Sequence, residues 1–460
     1  MEMLDEAMRL SRMLGRERKF LEKYDLYFEG EQPLRFIAPQ LQQELGHRLS
    51  PIVLNLAQFA VDVYDNRLDI EGFRSSSDEI SDDELMEIWE INDGALTSQQ
   101  VHREGLALGR GYVTVGPGDD DDDAPVVTIE SAFDAIHEDD PRTKKVKHGI
   151  KKWTDTDKTR WMTYHHLNGW ASWYWKSGEW AFDKEETTDY KLCGLVPLMN
   201  DPRLLGRSRP GKFDQRIGRP VFHPIVSELD ALNKFAWDMM VSGEFHALPR
   251  RWGTGLSEDD FVDEATGKAM GTWSMIAGRM WGTENEKAKF GQFTEADLAN
   301  FHNTIKLLMQ ITAMQLGLPS HYLLFQGDNP PSADAIRSSE SQLVKRAERM
   351  QQSRSTRWEQ VQRLVMLRTG RGAEAAKNRI ETLWRDPSTP TIAQKADAIV
   401  KLVQARDSQG RSIVPIEQAR EDLGYSTIQQ SQMRDWDQAA LVDPQIEAAR
   451  RELQDAAGGQ

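Results

Sequence analysis

A helical pattern of unusual length sets the first limit on the fold. It follows the polar stretch Gln326-Gly327-Asp328-Asn329-Pro330-Pro331, is capped by Ser332, and runs 38 residues to Thr369 before Gly370. Ile336, Leu343, Met350, Val361 and Val365 mark its buried stripe. Two other helical runs precede it. Pro224 opens one through Ile225, Leu229, Leu232, Phe235, Trp237, Met240 and Val241 to Phe245, about 33 Å of helix. Thr294 caps the other, which stops at Leu316 before Gly317 and Pro319. A compact Gly- and Trp-containing stretch, Pro249 to Gly291, separates the two. Helices of this length carry apolar stripes that some packing partner must cover.

The rest of the chain mixes both kinds of structure. Residues 3–28 place Leu4, Met8, Leu14, Leu21, Tyr24 and Phe28 at helical spacing, and Gly30 and Pro33 stop the run. Ser50 and Pro51 read as the start of a second helix to Asn66, and Ser81 with Glu84 as a capping box for a third. From Tyr112 to Leu192 short β-rich runs take over: Val113 and Val115, Val126 to Ile129, then Val146, His148 and Ile150. Asn168-Gly169 and Ser177-Gly178 bracket a run holding Trp170, Trp173, Tyr174 and Trp175, which predicts an antiparallel meander. The tail after Gly370 reads as helical. The expected fold class is α+β, predominantly helical, with two to four packed regions in 460 residues.

Composition excludes several functions. No run approaches the roughly 20 apolar residues of a membrane helix, and Met1 to Lys19 is charged throughout without a cleavage signal, so a soluble, unexported protein is expected. One cysteine, Cys193, rules out an internal disulfide and a multi-cysteine zinc site, as in a reducing cytosol. The formal charge of -16 opposes strong DNA binding. Its distribution matters more: Glu71 to Asp140 holds 20 acids against Arg74, Arg103 and Arg110, and the remaining chain is nearly neutral.

Motifs for catalysis fail on context. Gly206 to Lys212 has the Gly-x4-Gly-Lys spacing of a phosphate loop, but Phe213 stands where Ser or Thr must hold magnesium, and Pro202, Gly218 and Pro220 break both flanks. Asp119 to Asp123 lack the spacing, glycine and glutamate of a calcium loop and read as a solvated hairpin tip. His165 and His166 are adjacent on a strand, so they point to opposite faces. His137-Glu138 lacks the second histidine of a zinc-protease helix. No catalytic residue, metal site or cofactor is expected. The tryptophans of the meander read first as packing, second as a platform for sugar or single-stranded nucleic acid.

The long helix is basic: Arg337, Lys345, Arg346, Arg349, Arg354, Arg357, Arg363 and Arg368 face four acids. Two uses stay open, ion pairing with the acidic region of the same or an adjacent subunit, and contact with DNA or a partner.

With these residues in view, the chain resembles the portal proteins of long-tailed phages, especially those infecting actinobacteria. Tyr24, Tyr27 and Gly30, then Asn55, Asp62 and Gly72-Phe73, are similar to the family's opening segment. Gly194-Leu195-Val196-Pro197-Leu198 with Asn200, Gly206-Arg207-Ser208 and Asp230-Ala231-Leu232-Asn233-Lys234 follow in order. So do Glu244, Ala247, Pro249, Arg250 and Arg251, Gln292-Phe293 with Glu295-Ala296-Asp297-Leu298, Leu318-Pro319 with Tyr322-Leu323, and Asn329 to Arg337. The chain departs from the pattern at Gly218-Arg219-Pro220, where the family often has a second Gly-x-Ser-like element.

The resemblance implies a portal fold: wing over 1–220, first stem helix 221–248, clip 249–292, second stem helix 293–318, tunnel loop 319–331, long wing helix 332–370 and crown 371–460. It implies a ring of about twelve copies at one capsid vertex, through which a separate terminase drives double-stranded DNA and to which head-completion proteins attach. Capsid and scaffolding proteins are the other implied partners, in the virion and, during assembly, in the host cytoplasm. Gln326, Gly327, Asp328 and Asn329 would face the DNA; Arg337, Lys345 and Arg346 would touch DNA or a neighbour; Trp252, Trp273 and Trp281 would anchor docking partners on the clip. Two rivals belong to other classes. A nucleotide-dependent enzyme would use Gly206 to Lys212, and a monomeric DNA- or carbohydrate-binding module would use the tryptophan meander.

Overall fold

The computed structural model describes residues 2–34, 52–75, 82–118, 124–204, 214–247, 251–255, 287, 289–292, 298–323, 333–388, 392–406, 412–425 and 427–441. They form two compact units, one built from Met1–Asp25, Gln58–Val221 and Asp334–Gln460, the other from Leu26–Ala57 and Phe222–Ala333.

The first unit is organised by three antiparallel β systems. Strands β4 (Ala135–Asp139), β5 (Val146–Thr154), β6 (Arg160–His166), β7 (Gly169–Lys176) and β8 (Glu179–Thr187) pair in sequence order as a five-stranded meander. The two expected turns are there: Gly169 and Gly178 take the positive φ values, +136° and +94°, that favour glycine. Alternation then divides the sheet. Ile136, Ile150, Met162, Tyr164, Ala171 and Trp173 point to one face and pack on Ala7, Leu10 and Leu14 of helix α1 (Glu2–Glu29). Arg9 of α1 ties down the same interface by binding Glu138, which also meets His148 Nε2 at 2.9 Å.

A three-stranded sheet lies in the order β3 (Val126–Glu130), β2 (Arg110–Gly116), β9 (Leu195–Met199). The third system is a ribbon of β1 (Ile70–Ser75) with β12 (Ile380–Trp384), which pairs Phe73 with Thr382. Around them pack α3 (Asp83–Ile91), α4 (Gly94–Leu108) and the C-terminal half of the long helix, Ala333–Arg368, while α2 (Leu56–Asp65), which begins in the second unit, is tied to α4 by the Asp62–Arg103 ion pair. The core here is aromatic. Phe73, Trp89 and Trp358 form an edge-to-face chain with centroids 5.1 and 5.2 Å apart, and Trp358 Nε1 donates to buried His102 Nε2 at 2.8 Å. After a short helix at Gly372–Lys377 and strand β12, three helices follow at Ile392–Gln404, Ile416–Leu423 and Thr427–Leu441.

The second unit is a helix, ribbon, helix sequence. Helix α5 (Val226–Ala247) leads to β10 (Arg251–Thr254), which pairs antiparallel with β11 (Lys289–Gln292), and α6 (Ala299–Leu316) packs back on α5. Leu229, Leu232, Ala236 and Trp237 of α5 and Ala313 and Leu316 of α6 are buried. Gly317, at φ +71°, ends α6 as expected. Numbered in the same order, the long helix Ala333–Arg368 is α7 and the four helices after it are α8 to α11.

Several sequence expectations shift. Residues 52–55 are not helical, and α2 starts at Leu56, because Leu54 N–H donates to Asn233 Oδ1 at 2.8 Å and the Asn55 amide donates to Phe28 O at 2.8 Å. Those long-range bonds compete with a helical turn; Ser50 and Pro51 lie outside the described residues. Asp82 caps α3, one position after Ser81, which lies outside the described residues: its carboxylate accepts from Leu85 N–H at 3.2 Å and is held by Arg371 at 2.7 Å. Helix α6 begins at Ala299, not at Thr294, which lies outside the described residues. The tail is not purely helical, since β12 pairs with β1. Strand β4 falls within the β-rich stretch expected from Tyr112 to Leu192 and helix α4 within the helical opening, but no sequence signal set the bounds of either. Ser332, the cap expected for α7, lies outside the described residues, as do the five aspartates between the paired strands β2 and β3.

Candidate channel and docking residues

Basic side chains along α7 have two fates. In the C-terminal half they are consumed by the first unit. Arg354 is buried, and desolvation lowers its guanidinium to about 10 while Asp65 opposes that shift. Arg357 is lowered by burial, with Asp139 as its counter-charge. Arg368 makes a two-pronged ion pair with Glu186, at 3.0 and 3.1 Å. Of these three, Arg368 makes a direct ion pair within the chain, while Asp65 and Asp139 act on Arg354 and Arg357 as nearby charges; Asp139 belongs to the acidic stretch 71–140, and Asp65 and Glu186 lie on either side of it.

The N-terminal half of α7 is different. Arg337, Lys345 and Arg349 are exposed, and Lys345 reaches Glu348 at 2.6 Å on the same helix. Arg346 is half-buried and bonds the Tyr64 phenol, which burial raises above its ordinary pKa. An exposed ion pair of this kind contributes little to stability.

The other site residues expected from the sequence fare unevenly. Trp252 sits on β10 opposite Gly291, with its side chain outside the described set. Trp273 and Trp281 lie outside the described residues, as do Gln326, Gly327, Asp328 and Asn329. Gly206 to Lys212 lies there too, but its flanks are described. Strand β9 ends at Met199, and the first element after the motif is a three-residue 3-10 turn, Gln215–Ile217, where a phosphate loop requires a helix N-terminus. Among the described residues no group of three or more His, Cys, Asp or Glu side chains converges on a metal position, and no helix is long and apolar enough to cross a membrane. Cys193 is buried, and its thiol is pushed up to about 12 by desolvation, so it is inert.

What the structure does bring together is the set of short strings scattered along the sequence. Tyr27 bonds Asp230 at 2.6 Å, and Leu54 N–H bonds Asn233. Asp62 pairs with Arg103 at 2.6 Å. Asn200 clasps Arg219 in both directions, donating from Nδ2 to Arg219 O and accepting from Arg219 N–H at its own carbonyl, each at 2.9 Å. At the same place Gly218, φ +110°, comes so close to Gly109 O that a Cβ would sit 1.9 Å from it. These residues hold backbone together; they form no concave reactive centre.

Comparison with known proteins then fixes the class, a phage portal protein, structural rather than enzymatic. The chain belongs to the family described as Phage portal protein, SPP1 Gp6-like, whose model matches residues 6–417. It is 29% identical over 424 residues to the portal protein of Mycobacterium phage L5, covering 90% of this chain and 84% of that one. It is also 29% identical over 411 residues to the portal protein of Mycobacterium phage D29, covering 87% and 80%. Two solved structures align over most of the chain at 11% identity. "Neck of empty GTA particle computed with C6 symmetry" has a TM-score of 0.45, covering 86% of this chain and 96% of that one. "Neck of native GTA particle computed with C12 symmetry" has a TM-score of 0.42, covering 87% and 98%. As a phage portal protein the chain is a component of the virion, at a capsid vertex.

Proposed function

We propose that copies of this chain close into a ring of about twelve subunits whose central hole passes double-stranded DNA during packaging and ejection. The single observation that carries the reading is the helix, ribbon, helix order of the second unit in a chain whose portal-family match spans residues 6–417. In this reading α5 and α6 are the stem helices (221–248 and 293–318), and the β10–β11 ribbon is the base of the clip (249–292). Residues 319–331 are the tunnel loop, α7 is the long wing helix (332–370), residues 1–220 form the wing and 371–460 the crown.

DNA passes the ring without being gripped. Each fixed phosphate contact adds salt-dependent affinity that opposes sliding. Two features suit weak contact: an overall charge of -16, and an N-terminal half of α7 whose basic groups are few and partly offset by Glu348. Gln326, Gly327, Asp328 and Asn329 line the narrowest point, and Arg337, Lys345 and Arg346 lie just beyond them in sequence, facing DNA or the next subunit. The clip, through Trp252, Trp273 and Trp281, receives the terminase large subunit and then the head-completion protein. Capsid and scaffolding proteins meet the wing, and assembly takes place in the host cytoplasm.

Deleting Gly327 to Asn329 tests the channel assignment. Rings should form as before, and packaged or retained DNA should fall sharply in a packaging assay; normal packaging by the deletion removes the assignment. For the clip, Trp281→Ala should weaken terminase binding with ring stability unchanged, and unaltered binding argues against it.

A further inference from the structure

The meander has a second face that the portal reading leaves unused. Opposite the α1-packed side, Lys151 and Trp153 of β5, Trp161, Thr163 and His165 of β6, and Trp170 and Ser172 of β7 line a cleft of about 440 Å³ closed on its far side by β2 and β3. The register pairs Trp153 with Trp161, Thr163 with Ser172 and His165 with Trp170. A floor of small hydroxyl side chains therefore runs across the strands between indole walls. Trp153 and Trp161 are nearly parallel, 7° apart with centroids at 5.9 Å.

The polar groups decide what fits. Most hydroxyls are already committed: Ser172 donates to Asp183 at 2.7 Å, and Thr114 and Thr128 bond each other at 2.6 Å. Lys151 is paired with Glu130 at 2.6 Å and lies 5.2 Å from the Trp153 ring centre. What is left over is donor-rich. The Lys184 ammonium lies over Trp170, 5.5 Å from the ring centre. His165 is only 6% exposed, and neither ring nitrogen has a hydrogen-bond partner among the described residues, an arrangement that costs stability unless a ligand or water supplies one. Exposed Asp155 and Asp183 also line the cleft, which disfavours a polyanion and favours a basic residue.

We propose that this cleft binds an extended, proline-containing peptide segment of a partner protein, bearing a basic residue at one end. A polyproline II strand offers flat rings for indole slots and carbonyls with no N–H at proline, which matches aromatic walls and surplus donors. A sugar would stack on the same indoles and donate to Asp155 and Asp183, so the maltotriose arm is what separates it, and a nucleic acid strand would meet the charge of Asp155 and Asp183. The site belongs to the isolated subunit, so it is independent of ring formation and can fail or stand without the portal reading.

The test is fluorescence anisotropy of the full-length protein with a labelled (Ala-Pro-Pro)3-Arg decapeptide. Comparison arms are the (Ala-Gly-Gly)3-Arg peptide, maltotriose and a thymidine decanucleotide. Saturable binding of the proline peptide alone is expected, weakened at least about tenfold by Trp161→Ala or Trp170→Ala. Lys184→Ala, on an exposed side chain that leaves packing untouched, should also weaken it, with an unchanged circular dichroism spectrum. The proposal is overturned by no binding to the wild type, by equal binding of the glycine peptide, by binding that survives Trp161→Ala and Lys184→Ala, or by selective uptake of maltotriose or the oligonucleotide.

Discussion

The phenol of Tyr27 donates a 2.6 Å hydrogen bond to Asp230 Oδ1, joining the end of α1 to the first turns of α5 across 203 positions of sequence. Both side chains are buried, at 2% and 6% exposure. A buried carboxylate that loses a donor costs about 1–3 kcal/mol. Tyr27→Phe should therefore lower the urea midpoint by that order, with secondary structure unchanged. Asp230→Asn should cost less, because an amide oxygen can still accept from the phenol.

The aromatic chain through Trp358 is the main anchor of α7 in the first unit. Trp358 is 1% exposed, meets Trp89 edge-on, and satisfies both its own indole N–H and His102 Nε2. Trp358→Ala should cost about 3–5 kcal/mol, and Trp358→Phe, which keeps most of the volume but strands His102, less. Equilibrium denaturation of the two variants measures this order.

Why so much of this was legible is a matter of range. The meander and the α5–α6 pair are local: period-2 alternation, Asn168-Gly169, Ser177-Gly178 and Gly317 fall within a few residues of the structure they dictate. The β1–β12 ribbon is not, since its strands are short and lie some 300 residues apart, and only pairing with each other makes them strands. Asp82 and Leu54 show the same limit, because the positions of α3 and α2 are set by Arg371 and Asn233, far away in sequence. Alternation also explains the tryptophans. Trp173 is core, as the packing reading expected, whereas Trp161 and Trp170 fall on the opposite face, and sequence spacing alone does not say which face is covered.

Acid should act on the fold in two opposed ways. Burial holds His137 and His165 down to about 3. An unfolded chain takes up these protons from pH 6.5 downward while the folded one does not, so stability falls between pH 6.5 and 3. Asp65 is raised to about 6 by desolvation, and it adds stability as pH falls from 6 towards 3.8. Burial also lowers His102 and His166 and raises Glu17, Glu104, Asp134, Asp139 and Glu359, so single variants, not the sum, isolate each contribution. Relative to the wild type, the change in urea midpoint from pH 7.5 to 5 should be more favourable in His137→Gln and less favourable in Asp65→Asn; the reverse ordering contradicts these assignments.

Gly218 and Gly109 allow two backbones to touch. Any Cβ at Gly218 would overlap Gly109 O and force a residue into φ +110°. Gly218→Ala should cost more than about 2 kcal/mol, from strain plus displacement, while Gly15→Ala, which meets nothing within 4 Å, should be neutral or slightly stabilising. Thermal melts of the pair give the comparison.

A channel exists only if subunits close around a hole. Mass measurement of the purified full-length protein combined with particle imaging, alone and with scaffolding protein, is the most direct test. The expected result is annular particles of a single size near twelve subunits with a central opening. A compact monomer under every condition, with no annular particle in any field, would contradict the account.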